Sequence, residues 1–497
     1  MFLLLAGCAA GPNYQMPKTD VPAAFAGAAQ TNLSTNETAV TWWRGFNDAQ
    51  LNQLIERAIA SNYDLRIATA NVLEARALHR SAQFDLLPVP GAEAGYTHEL
   101  FSQAFEPTIP RNLRELELYD AGFDATWELD FFGRLRRSNE AASAAEQAAM
   151  AARRDVMVTL ISEVARNYFE LLGAEEELAV ARQNADNAQE TLRITQAIFE
   201  GGRGTQLDVD RANAQLNNTL ANIPPLEAAI SRARHRLSVL TGRQPTALDA
   251  ELAASKPAIS LPELAGVNLA GQPAETTNTP QTSQLIALPP MINIGNPEAL
   301  LRRRPDIREA ERSLAAATAR IGIATADLFP RVTFNGNIGL EAASFSGLGK
   351  PGSDTWSFGP SITWALLDYG HVRARMKAAH AEADAALDAY QGTVLTALEE
   401  TENALVDFCR EQARREYLRK SERASASAAR LARQRYEEGA TDFLTALDAE
   451  RVLFDAQDQL AQSNTRTFTA LVAVYKSLGG GWEVEREQQQ TKWPSSN

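Results

Sequence analysis

The chain is written twice. Displaced by 242 residues, Asp64-Leu65-Arg66 falls on Asp306-Ile307-Arg308, and Asp85-Leu86-Leu87-Pro88 falls on Asp327-Leu328-Phe329-Pro330. Displaced by 237, Trp127 falls on Trp364, Gly133 on Gly370, Phe199 on Tyr436, Gly202 on Gly439, Leu207 on Leu444 and Leu216 on Leu453. The difference between the offsets places one insertion in the first copy, between Pro88 and Trp127. The copies cover 48–245 and 290–478. Repeats this long are not solenoid units of about 20–50 residues. They describe a duplicated domain with pseudo-two-fold architecture.

Each copy changes period in the same order. Leu51, Leu54, Ile55, Ala58, Ile59 and Leu65 recur at three and four, which predicts an amphipathic helix over 49–86, and Pro88 and Pro330 close the opening helix of each copy. The period then becomes two. Val332, Phe334, Ile338 and Leu340 alternate with Thr333, Asn335 and Asn337; Trp356, Phe358, Ile362, Trp364 and Leu366 alternate with small polar residues over 356–366. In 117–129, Tyr119, Phe123, Trp127 and Leu129 alternate with Asp120, Asp124 and Glu128. The segment after Pro88 shows this pattern poorly. The hairpins are therefore set at 88–129 and 330–366.

Helical stretches of about 67 residues follow, over 134–200 and 371–437, each about 100 Å long. A helix of that length belongs to a coiled coil or a helical barrel. After a glycine-containing break come helices over 205–240 and 441–477. Two shorter helices stacked beside one long one put the breaks at one tip of a rod and the hairpins at the other end. Strands with one apolar and one polar face fit a membrane barrel wall or a half-buried soluble sheet. The small and acidic polar face, the aromatics near strand ends and the strand lengths favour the barrel. Four strands per chain cannot close a barrel, so closure requires an oligomer. Two, three or four copies satisfy that arithmetic.

The rest of the chain narrows the function classes. Acids outnumber bases by 62 to 48, a net charge of −14, which argues against nucleic acid as a partner. No apolar run reaches the ~20 residues of a spanning helix. Leu5-Ala6-Gly7-Cys8 resembles a bacterial lipobox behind a short apolar run, so 1–8 reads as a signal remnant, with the true start expected upstream and lipid expected on Cys8. Ala9 rather than Asp follows, so nothing signals inner-membrane retention. Residues 9–47 read as an extended segment, 246–296 as a connector and 479–497 as a polar tail. Cys409 reads as a core residue. Arg302-Arg303-Arg304 reads as solvated or belt-contacting. The histidines at 79, 98, 235, 371 and 380 form no metal motif, and Gly201-Gly202-Arg203-Gly204-Thr205 lacks the lysine of a phosphate loop. No catalytic residue, metal site or cofactor is expected beyond the covalent lipid.

Several segments in order carry a resemblance. They are Trp42-Trp43 with Phe46 and Asp48; Trp127-Glu128-Leu129-Asp130-Phe131-Phe132-Gly133-Arg134; and Gly295-Asn296-Pro297 leading to Leu300-Leu301-Arg302-Arg303-Arg304-Pro305-Asp306-Ile307. Phe329-Pro330, Trp364 with Asp368-Tyr369-Gly370, and Gly479-Gly480-Gly481-Trp482 complete them. Over its whole length the chain resembles the TolC-like outer-membrane factors, in the lipoprotein branch that serves RND-type multidrug efflux (NodT-type). The resemblance implies a mainly α fold with a membrane β-barrel: a homotrimeric twelve-stranded barrel in the outer membrane on a periplasmic α-helical barrel. It also implies a lipid anchor, N-palmitoyl and S-diacylglycerol, on Cys8.

The resemblance further implies an exit duct for small molecules, gated at the helical tip. The segment Leu444 to Arg451 matches the family's constriction. Leu444 and Asp448, at i and i+4, would repeat around a trimer as an apolar and an acidic ring, the acidic one favouring cations. Arg451 would tie down a neighbouring helix. Leu207, Asp208 and Arg211 are taken as the copy-one counterparts. Asp208 and Asp448 could instead be ordinary helix N-terminal acids. Gly202, Gly204 and Gly439 mark the tip where a periplasmic adaptor would dock, or are helix C-caps. An inner-membrane RND-type pump would supply the energy. Two alternatives stay open: an exit duct for type I protein secretion, and a structural coiled-coil lipoprotein.

Overall fold

The computed structural model describes residues 9–26, 33–34, 36, 40–104, 107–254, 288–289 and 292–483. Cys8, most of the connector and most of the tail lie outside the described residues. In chain order the elements are β1 (Leu33–Ser34), α1 (Ala49–Ser61), α2 (Tyr63–Phe84), β2 (Val89–Leu100), α3 (Arg111–Arg114), β3 (Glu115–Leu129), α4 (Arg134–Glu200), α5 (Gln206–Ala221) and α6 (Ile223–Leu240). Then come α7 (Asp249–Ala254), β4 (Ile292–Asn293), α8 (Pro297–Arg303), α9 (Pro305–Ala326), β5 (Arg331–Ala342), β6 (Asp354–Thr363), α10 (Tyr369–Glu437) and α11 (Phe443–Ser477). The chain divides into two compact units. The first is Met1–Thr19, Ala70–Ala151 and Arg308–Thr393; the second is Asp20–Thr69, Ala152–Ile307 and Val394–Asn497.

The first unit holds an antiparallel four-stranded sheet in the order β2-β3-β5-β6. Register decides its chemistry. Phe123 pairs with Ile338, which pairs with Trp356, and Trp127 pairs with Phe334, so one face is apolar and its large side chains are exposed. The opposite face carries Asp120, Asp124 and Glu128 beside Thr333, Asn335 and Asn337. The leading strand, β2, hides its alternation for a physical reason. Gly91 sits opposite Asp124 and Gly95 opposite Asp120, and a Cβ at either would lie within 2.7 Å of a carboxylate oxygen. The glycines make room for the acids. The last strand stops at Thr363, short of the expected 366. Just beyond it, the Trp364 indole donates to the Leu328 carbonyl at 3.0 Å. Its copy-one counterpart Trp127 donates to Leu86 at 3.1 Å, so the duplication reaches single hydrogen bonds.

The same unit anchors the segment that follows Cys8. Ala10 N–H donates to the Phe132 carbonyl at 2.9 Å. Buried Arg137 donates to the Ala10 and Gly11 carbonyls and to Asn13. Tyr14 donates its hydroxyl proton to Glu311 at 2.5 Å.

The second unit is built on an aromatic core. Trp42 stacks on Tyr475 with centroids 4.8 Å apart, Phe46 meets Phe169 at 4.8 Å, and Phe169 stacks on Phe468 at 5.0 Å. Asp48 caps α1 by accepting from Gln50 N and Leu51 N, and its other oxygen accepts from the Tyr168 hydroxyl at 2.6 Å. Burial first, then the Asp48 carboxylate, hold that phenol's pKa far above its ordinary value.

Three expectations are corrected. The helix expected over 49–86 is two, α1 and α2, broken at Asn62 in extended conformation; the Asn62 amide donates to the Leu240 carbonyl at 3.0 Å and its oxygen accepts from Leu65 N. Copy two breaks at the equivalent Arg304. Opposite each break lies a glycine with positive φ, Gly242 at 72° against Ser61 and Gly479 at 67° against Arg304, where a side chain would collide. The helix expected over 205–240 is also two, α5 and α6. Pro224 and Pro225 remove two N–H donors and fit only the first turn of a new helix. Finally, Arg304 is not solvated. It is buried and bonds Asp306, Glu400 at 2.7 Å and the Ser477 carbonyl at 2.9 Å.

The long helices run where the periodicity put them. Neither contains proline, and Gly173 within α4 is occupied by the Thr465 side chain of α11, which approaches too closely for any Cβ.

Candidate functional site at the helical tip

All tip residues lie in the second unit. α4 and α10 end in the same way. Gly202 and Gly439 adopt φ of 73° and 75°. Arg203 N bonds the Ile198 carbonyl and Gly202 N the Phe199 carbonyl; Ala440 N bonds Arg435 and Gly439 N bonds Tyr436. These are paired Schellman caps, in which a left-handed residue satisfies the last helical carbonyls. Beyond either glycine the space is open, whereas a Cβ at Gly204 would meet the Phe199 backbone at 3.2 Å.

The next helices begin with side-chain caps. Thr205 Oγ1 accepts from Asp208 N, and Asp208 accepts in return from Thr205 N and Oγ1, a capping box. In copy two Asp442 accepts from Thr445 N at 2.8 Å and from its hydroxyl, which holds the Asp442 carboxyl below its ordinary range. The matched caps fix the register. Thr205 stands for Asp442, Asp208 for Thr445, and Arg211 for Asp448. The assignment of Asp208 as counterpart of Asp448 is therefore corrected. Asp208 is a capping acid, with Arg211 4.0 Å away on the next turn.

Leu207 and Leu444 keep their equivalence; they are 56% and 51% exposed. Asp448 is exposed and has no hydrogen bond or ion pair among the described residues. Arg451 Nε donates to Gln215 Oε1 on α5 at 2.7 Å, which ties the copy-two helix to copy one within the chain.

Below the tip the four helices share an apolar core. Ala188 and Leu192 of α4, Ala212 and Leu216 of α5, and Ala426 and Ala429 of α10 meet Phe443, Leu447, Leu453 and Phe454 of α11. Inside it lies a group that the sequence did not single out. Glu450 is 1% exposed; one oxygen accepts from the Thr191 hydroxyl at 2.8 Å and the other has no hydrogen-bond partner among the described residues. Burial raises its pKa. Its signal was an acid at an apolar-phase position of α11. Among the described residues no cluster of His, Cys, Asp and Glu could hold a metal, and no helix is long and apolar enough to cross a membrane.

The model of the outer membrane efflux protein family matches residues 54–243 and 296–480. The chain is 32% identical over 487 residues to Nodulation protein T of Rhizobium leguminosarum bv. trifolii, covering 97% of this chain and 96% of that one. It is 31% identical over 489 residues to outer membrane protein OprJ of Pseudomonas aeruginosa, with 97% and 95% covered. Among solved structures, the outer-membrane channel OprN superimposes with a TM-score of 0.85 at 40% identity, covering 96% of this chain and all of that one. The open-state MtrE outer membrane channel of Neisseria gonorrhoeae superimposes at 0.77 with 29% identity, covering 96% and 99%.

Proposed function

Since the chain belongs to the outer membrane efflux protein family, we propose that it is the outer-membrane exit channel of a tripartite efflux pump, closed at the α4–α5 and α10–α11 tips. Three copies bring four strands each to a twelve-stranded barrel whose apolar face meets lipid and whose acidic face lines the lumen. Small molecules pass from periplasm to exterior. A periplasmic adaptor engages the turns at Gly202, Gly204 and Gly439, and an RND-type inner-membrane pump supplies the energy. The chain itself carries out no catalysis. Cys8 holds the acyl anchor, and the strap from Ala10 to Tyr14 fixes where that anchor leaves the protein. Palmitate labelling that survives Cys8→Ala would contradict the anchor.

The observation that carries the gate is the pair Leu444 and Asp448. Both are exposed and one turn apart, and Asp448 has no hydrogen bond or ion pair among the described residues, on a helix that Arg451 pins in place. Three copies make a leucine ring beside an acidic ring, the first narrowing the pore and the second favouring cations. Cells that rely on this channel should become sensitive to a large glycopeptide antibiotic when it carries Leu444→Ala or Asp448→Ala. Unchanged sensitivity at wild-type expression would move the gate elsewhere.

A further inference from the structure

The two copies diverge in charge beside the α8–α9 break. There α4, α10 and the end of α11 line a cavity of about 350 Å³. Its walls carry Asp155, Asp306, Glu400 and Asp407 against Arg304 and Lys476. Four carboxylates against two bases leave two negative charges. Arg304 is committed to Asp306 and to one oxygen of Glu400. Asp155, Asp407 and Lys476 make no hydrogen bond or ion pair among the described residues. Burial, and then Asp306, raise the Asp155 carboxyl above its ordinary range, as happens to an acid crowded by other acids.

Copy one meets the same demand with its own side chains. Displaced by 237, Glu163 falls on Glu400, Arg166 on Asn403, Glu170 on Asp407 and Arg236 on Ala473. Arg166 bridges the two acids, donating to Glu170 at 2.7 Å and to Glu163 at 3.2 Å, and Arg236 adds a second guanidinium to Glu163 at 3.3 Å. Against the pull of burial, these arginines hold the Glu163 carboxyl below its ordinary range. In copy two both acids remain and both arginines are gone. Asn403 and Ala473 line the cavity instead. The room and the uncompensated carboxylates therefore coincide, because the same two exchanges create both. Lys476, where copy one has Val239, returns one charge, but an ammonium cannot present a planar fork to two carboxylates as a guanidinium does. The volume lies at the lower end of small-molecule pockets and suits a cation the size of an arginine side chain.

We propose that this cavity is a binding site for a small guanidinium-bearing cation, held between Glu400 and Asp407 as Arg166 is held between Glu163 and Glu170, with the Asn403 amide oxygen accepting beside it and Asp155 completing the charge. Glu400 lies about 55 Å along α10 from its tip end. The site goes beyond the exit-channel reading and does not depend on where that channel closes. A cation shared by α10 and α4 binds the folded protein alone, so it stabilises the fold.

The test is calorimetric titration of agmatine, a guanidinium on a short alkylamine, into the full-length trimer in detergent at low salt. Wild type should bind one agmatine per chain, more weakly as salt is added, and should melt at a higher temperature with agmatine present. n-Butylamine, which lacks the guanidinium, should bind at least about tenfold more weakly. Asp407→Asn should weaken agmatine about tenfold, the size of one charge-assisted hydrogen bond. Asn403→Arg rebuilds the copy-one bridge; it should abolish binding and raise the melting temperature of the protein without agmatine. Equal binding of n-butylamine would reduce the cavity to bare charge attraction and overturn the proposal. So would a folded trimer that binds no agmatine, or binding that both variants leave unchanged. None of these results bears on conductance, so the exit channel stands or falls separately.

Discussion

Asp208 and Asp448 look alike in the sequence and do different work. Both are acids near the start of a tip helix. Asp208 occupies the third position of a capping box and spends its oxygens on Thr205. Asp448 lies a turn deeper, beyond the reach of the cap, and faces solvent. What separates them is register, which becomes visible once Thr205 and Asp442 are recognised as matched caps. Asp208→Ala should therefore lower the stability of the tip by about 1 kcal/mol and leave ion selectivity unchanged. Thermal unfolding and reversal potential, measured on the same variant, check both halves; a shift in selectivity would return Asp208 to the pore. Glu450 escaped notice at this scale because only packing distinguishes a buried glutamate from one on a wet helix face.

At the scale of elements, α4 was legible to the residue. It has no proline and one glycine, and its length alone excludes a globular domain. The helix breaks were less legible. Asn62 breaks α1 from α2 through a hydrogen bond to Leu240, far away in sequence. Its equivalent Arg304 precedes Pro305, and a residue before proline favours extended backbone, so copy two carried the signal that copy one lacked. The strands show the same dependence on partners. β2 reads poorly because two of its residues are glycines that yield to carboxylates on β3. The apolar face is a stronger claim. Ile338, 60% exposed between Phe123 and Trp356, should face lipid. Ile338→Arg should cost about 2–4 kcal/mol at mid-bilayer and reduce the heat-resistant trimer on gels. A trimer as robust as wild type would mean that this face does not meet hydrocarbon.

Across the whole molecule the duplication organises both units and is legible in the amino acids alone. What it did not reveal is the unequal burial of charge between the copies. Burial pushes the Glu176 carboxyl up to about 7 despite a hydrogen bond from Asn464. Burial, and then Asp458, push Glu177 up to about 7 against the pull of Arg466. The unfolded chain releases these protons near pH 4.3, the folded chain only near 7. Between those values the unfolded state binds fewer protons, so stability falls as pH rises and levels off above the folded values, by at most about 4 kcal/mol per group. The melting temperature should be higher at pH 5 than at pH 8, and Glu176→Gln should flatten that slope. An unchanged slope would show that Glu176 is ionised in the folded protein.

The central claim is a pore whose tip is closed by an apolar ring and an acidic ring on α11. The most direct measurement is the conductance and reversal potential of the purified trimer in a planar bilayer under a potassium chloride gradient, wild type against Asp448→Ala. The account predicts a small, cation-selective conductance in the wild type and a larger or less selective one in the variant. Identical selectivity and conductance in the two proteins would contradict it.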